Sequence, residues 1–80
     1  MGNGKLKQQF GRRLRVLRVL RDITQEQLAE RCGVSVDHLS MLERGINGPS
    51  FDLLERLADV LGVRVKEMFD FELLEPREGA

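Results

Sequence analysis

Few side chains in this chain could do covalent or metal chemistry. Cys32 and His38 are the only residues of their kinds among eighty. A zinc site takes three or four ligands, and a nucleophile needs a neighbouring base that is itself oriented. No paired carboxylates with a pocket, phosphate-cradling glycine loop or nucleophile–base arrangement supplies the rest. The chain therefore reads as no enzyme, with no cofactor or metal. What remains is charge. Lys5 to Arg21 hold seven basic residues and no acid. Residues 1–40 carry eight Lys or Arg against four acids, and residues 41–80 carry five against nine, so the total of 13 against 13 cancels. A phosphate-binding face fits the basic N-terminal third, but no long-range attraction to a polyanion follows from net charge.

The elements that must position these groups centre on Gln25 to Arg44, QEQLAERCGVSVDHLSMLER. Leu28 and Ala29 share a face of a first helix, to which Cys32 returns one turn later. Ala29 is small enough for a steep helix crossing. Gly33 suits an immediate reversal at positive φ, Val34 is an apolar plug under the turn, and Ser35 is an N-cap for a second helix carrying Leu39 and Leu42. This is the helix-turn-helix pattern. Cys32 then reads as a buried core thiol.

Around that centre the chain predicts an all-α domain of five helices and a short tail. Residues 1–4 are expected to be a frayed start. Leu6, Phe10, Leu14, Leu17 and Val16 or Leu20 recur at helical spacing, with Arg12, Arg13, Arg15, Arg18 and Arg21 on the other faces. Asp22 ends the run, and Ile23 anchors the connection. Thr24 and Gln27 have the capping-box form, so the second helix begins at Gln25 and ends at Gly33. The third runs from Ser35 to about Arg44, with Gly45 as its stop. After the turn Ile46-Asn47-Gly48-Pro49, Ser50 caps a fourth helix with an apolar face of Phe51, Leu54, Leu57, Ala58 and Leu61, closed by Gly62. Val63 re-enters the core, and Val65 to Phe69 form a last short helix. Residues 1–80 are one domain with its core at about 5–70 and a tail at 71–80. No apolar run approaches the roughly 18 residues of a membrane span, and there is no secretory h-region or myristoylation pattern. A single cysteine fits a reducing, cytoplasmic setting.

The segments RRLRVLR, TQEQLAERCGVS, LSMLERG, PSFDLLERLADVLGV and VKEMF, in this order from about Phe10 to Phe69, resemble the Cro/phage-repressor-like helix-turn-helix regulators, the XRE family. The resemblance implies a compact five-helix, lambda-repressor-like domain that places its third helix in the major groove of double-stranded DNA, usually as a homodimer on a two-fold operator. It implies that Gln25 faces a phosphate and the recognition helix, and that Val36, Asp37, His38, Ser40, Met41 and Arg44 form the outward face of that helix. Val36, Asp37 and Met41 match positions that commonly touch bases. Val36 and Met41 offer only apolar contact, suited to a thymine methyl, and Asp37 can accept from cytosine N4. Asn47 and the Gly48 N–H follow the helix as backbone contacts or simply as a turn. Arg12, Arg13 and Arg15 could reach phosphates from the first helix, against a solvated face as the bland alternative. Glu43 resembles a structural acid, with Arg18 as its expected partner. His38 reads as a surface contact whose charge could tune binding near neutral pH.

Met68, Phe69, Phe71, Leu73 and Leu74 exceed what one short helix hides. They read either as a homodimer contact or as a tail folded over its own core; the first is the expectation here. The function expected is a transcriptional repressor or controller. The alternative is a protein-interaction module, antitoxin-like or an adaptor, that keeps the fold with little DNA affinity; zero net charge, Asp37 and Met41 on the recognition face, and the acidic tail point that way.

Overall fold

In the computed structural model, which describes residues 5–73, the chain runs α1 (Lys5–Leu20), α2 (Gln25–Cys32), α3 (Val36–Glu43), α4 (Phe51–Leu61) and α5 (Val65–Met68), followed by a 3₁₀ turn at Phe71–Leu73. The described residues contain no strand. The expected frayed start at 1–4 and most of the tail, 74–80, lie outside them.

Local chemistry sets the helix starts. Thr24 Oγ1 accepts from Gln27 N at 3.1 Å while Thr24 N donates to Gln27 Oε1 at 3.0 Å, closing the capping box of α2. Ser35 and Ser50 accept from His38 N and Leu53 N in the same way, opening α3 and α4. The helix ends are also alike. At Gly33, Gly45 and Gly62 the chain takes positive φ, and the following N–H returns to the carbonyl five residues back. α1 ends with the same pair of bonds, Asp22 N to Val19 O and Ile23 N to Arg18 O, but on Asp22 at φ 58°. Aspartate is among the few side chains that tolerate that conformation.

The core unites Phe10, Leu14 and Leu17 of α1 with Leu28, Ala29 and Cys32 of α2, Leu39 and Leu42 of α3, Leu53, Leu57, Ala58 and Leu61 of α4, and Met68 of α5. Ile23 and Val34 pack against it from the connections, as expected. Several expectations are corrected. On α4 the buried residue of the first turn is Leu53, whereas Phe51, the first helical residue, is 86% exposed. On α1, Leu6 and Leu20 are exposed beyond the two ends of the packed face. Arg13, expected on a solvated face, is only 4% exposed, and its Nε donates to Glu67 O at 2.8 Å, tying α1 to α5. Met68 is fully buried, because α5 turns it inward into the common core, so it is no surface contact.

One close approach governs how α3 is seated. Gly11 is buried in α1, and a β-carbon there would collide with the carbonyl oxygens of Leu42 and Glu43. Only a glycine lets the α1 backbone lie directly on the last turn of α3.

Candidate nucleic-acid interface

Glu43 is the hub that fixes α3. Its carboxylate is buried and accepts from Arg18 Nε at 2.6 Å, Arg18 Nη2 at 3.2 Å and Gln25 Nε2 at 2.9 Å. Arg18 also donates from Nη1 to Ile23 O at 2.8 Å, so one guanidinium binds α3 and the α1–α2 connection together. Charge-assisted bonds of this kind are short and directional. They lock the C-terminal end of α3 to both α1 and the start of α2. The Arg18–Glu43 pairing expected from the sequence is present, and Gln25 does point at the third helix.

With its core side pinned by Leu39, Leu42 and Glu43, α3 turns the stripe Val36, Asp37, Ser40, Met41 and Arg44 outward at helical spacing. Val36, Asp37 and Arg44 are exposed, whereas Ser40 and Met41 are half-buried. His38 is half-buried on the flank rather than central to the stripe. Asn47, also half-buried, directs Nδ2 toward Met41 Sδ at 3.7 Å, so the loop after α3 braces the Met41 side chain.

Beside this stripe a shallow open cleft is lined by Arg15, Arg18, Thr24, Gln25, Glu26 and Val36. It brings the start of α2 and an exposed α1 guanidinium next to the first residue of α3. Of the three α1 arginines weighed as phosphate contacts, Arg15 stands at the cleft and Arg13 is committed to the core, while Arg12 is exposed and does not line the cleft. The sequence treats them alike, because the only signal, helical phase relative to Gly11 and Leu14, depends on how α1 meets α5. Gln25 spends one amide hydrogen on Glu43, and Gln25 and Glu26, the first residues of α2, line the cleft.

Cys32 has a core role. Burial pushes its thiol above the ordinary value, with the Arg56 charge pulling weakly the other way, so the reactive thiolate is disfavoured. Among the described residues no three His, Cys, Asp or Glu side chains gather as a metal site would need.

A five-helix domain with a two-helix reading head braced from behind defines a class, the helix-turn-helix regulators. The chain belongs to the helix-turn-helix domain family, whose model matches residues 9–69. It is of the Cro/phage-repressor-like, XRE kind, a class of DNA-binding transcription regulators rather than enzymes. It is 41% identical over 59 residues to an uncharacterized HTH-type transcriptional regulator, YazB, of Bacillus subtilis, covering 74% of this chain and 86% of that protein. It is 35% identical over 63 residues to the control protein C.BamHI of Bacillus amyloliquefaciens, covering 78% of each. Among solved structures it is similar to the restriction-modification controller protein C.AhdI of Aeromonas hydrophila, with a TM-score of 0.76 and 33% identity over 79% of this chain and 96% of that one. No helix among the described residues is long and apolar enough to cross a membrane.

Proposed function

We propose that this protein is a cytoplasmic, homodimeric regulator that occupies a two-fold operator in double-stranded DNA and acts as a repressor or controller. The observation that carries the reading is the Glu43 clamp. It holds α3 rigidly by its inner side and end while Val36, Asp37, Ser40, Met41 and Arg44 stay available to a groove. Gln25, Arg15 and Asn47 flank that stripe as backbone contacts, and His38 lies at its edge. Two relatives that the chain resembles are a control protein and a restriction-modification controller, which supports the controller role.

An eight-residue α3 can touch only one short half-site, so affinity calls for two copies about one helical turn, roughly 34 Å, apart. A surface for the second copy is available. Phe69 packs tilted against Phe10 and edge-on to Phe71, with ring centroids 5.2 and 6.0 Å away, yet remains 38% exposed. It borders a groove lined by Leu6, Pro49, Phe51 and Leu54, with Leu6 and Phe51 exposed. Of the residues expected at the dimer contact, Phe69 is retained, and Phe71 is half-buried against the core beside it. Leu73 follows in the chain, and Leu74 lies outside the described residues.

Selection from random duplex DNA, followed by binding of the winner at several salt concentrations and sedimentation of the free protein, tests the reading. A palindromic winner that weakens steeply with salt, bound by a dimer that Phe51→Glu or Phe69→Glu dissociates, is the expected result. Absence of enrichment, with only weak binding lost at physiological salt, overturns it in favour of a protein-interaction module.

A further inference from the structure

The outward stripe of α3 has a chemical bias that says which base edges it suits; the inference rests on the DNA-binding role proposed above. Val36 at the first helical position is 39% exposed and offers two methyl groups. Asp37, next to it, is exposed, and its carboxylate has no hydrogen-bond or ion-pair partner among the described residues. Met41, one turn on, presents a thioether braced by Asn47. None of the three side chains can donate a hydrogen bond.

In the major groove, guanine shows two acceptors, and adenine an acceptor with one donor. Both purines therefore present N7, a lone pair, to whatever approaches, and a carboxylate is repelled there. The pyrimidines differ. Cytosine shows only the N4 amino donor, and thymine adds a C5 methyl beside its O4 acceptor. The helix dipole alone accounts for an acid in the first turn, but not for apolar neighbours on both sides along the stripe. Val36 and Asp37 are consecutive on α3 and leave it about 100° apart, so they reach adjacent parts of one half-site rather than a single atom.

We propose that Val36, Asp37 and Met41 form a pyrimidine-reading face: Asp37 accepts from a cytosine N4 amino group, while Val36 and Met41 close on a pyrimidine C5 methyl beside it. That methyl can belong to a neighbouring thymine or to the same cytosine when it is methylated at C5. In the second case binding responds to cytosine methylation in the half-site, tightening rather than weakening.

The test uses the whole chain and the duplex that it selects, with affinity read by fluorescence anisotropy. Each half-site thymine is replaced by deoxyuridine and each half-site cytosine by 5-methylcytosine, one position at a time. Burying one methyl corresponds to about a four-fold change in affinity. The expected result is a four-fold loss at a thymine position, identifying thymine as the source, or a four-fold gain at a cytosine position, identifying methylcytosine. In either case the effect is absent in Val36→Ala or Met41→Ala. Asp37→Asn is expected to move the preference at the contacted base from cytosine to adenine, whose N6 and N7 an amide matches. Tight, palindrome-specific binding with no methyl effect at any pyrimidine, or with effects that persist in both alanine variants, overturns this inference and leaves the DNA-binding role standing. Failure of any duplex to be enriched overturns both.

Discussion

Arg18 and Glu43 sit 25 residues apart in the chain and meet at 2.6 Å as an ion pair of a half-buried guanidinium and a buried carboxylate, with the Gln25 amide as third member. The pair contributes orientation more than stability. A buried pair costs desolvation that its attraction barely offsets, but removing one partner strands the other charge, at about 3–5 kcal/mol. Arg18→Ala is therefore expected to lose stability on that scale in urea denaturation. The double variant Arg18→Met with Glu43→Leu should recover most of it and still bind DNA poorly, because the end of α3 is no longer fixed. Unchanged stability in the single variant would remove the pair from any structural role.

Gly11 gives a second test, because two effects oppose each other there. Alanine in a helix interior is favoured over glycine by roughly 1 kcal/mol. At Gly11, however, the added carbon meets backbone carbonyls of Leu42 and Glu43 that no rotamer change can move. Overpacking costs about 1–3 kcal/mol, and here it also pushes α1 away from the Arg18–Glu43 contact. Gly11→Ala should be net destabilising, with a lowered urea midpoint and an unchanged slope. A raised midpoint would mean that α1 and α3 are not in backbone contact.

How much of this was legible depended on whether the cause was local. Thr24 with Gln27, Ser35 and Ser50 each cap a helix with atoms at most three residues away, so the starts of α2, α3 and α4 could be read directly. The Arg18–Glu43 pair and the outward stripe of α3 were legible through the family pattern. Features set by how elements meet were not. Arg13 looks like any surface arginine until α5 presents the Glu67 carbonyl. Gly11 looks like a weak helix residue until α3 lies on it. Leu53 and Phe51 are both apolar near the start of α4, and only the tilt of that helix on the core decides which is buried. An apolar cluster at a chain end does not reveal which of its members turns inward, and here that member is Met68.

The buried thiol of Cys32 makes stability depend on pH at the alkaline end. Its value in the folded state is raised by burial, whereas in the unfolded chain it titrates near the usual value of about 8.5. Above that pH the unfolded state has lost a proton that the folded state keeps, so stability falls as pH rises until the folded thiol also ionises. Below it the contribution is constant. Comparing urea midpoints of the protein and of Cys32→Ala at pH 7 and at alkaline pH isolates the effect. The variant should be less stable at pH 7, and the gap should narrow as the pH is raised. A gap independent of pH would show that the thiol is not desolvated.

Arg13 and Arg15 are two residues apart on α1, and they are expected to fail in different ways. Arg13 is buried with its Nε on the Glu67 carbonyl, whereas Arg15 is exposed at the cleft beside Gln25. Arg13→Ala removes a buried hydrogen bond from a charged group, worth about 1.5–3 kcal/mol, and should lower thermal stability while leaving the salt dependence of DNA binding intact in the folded fraction. Arg15→Ala should leave stability nearly unchanged. It should weaken binding to all sequences alike and reduce the slope of log affinity against log salt by about one phosphate contact. Measuring both variants by thermal denaturation and by salt-titrated anisotropy separates the roles. If Arg15→Ala leaves the salt slope untouched, Arg15 neutralises no phosphate at the cleft, and any phosphate there is held by the neutral donors at the start of α2 alone.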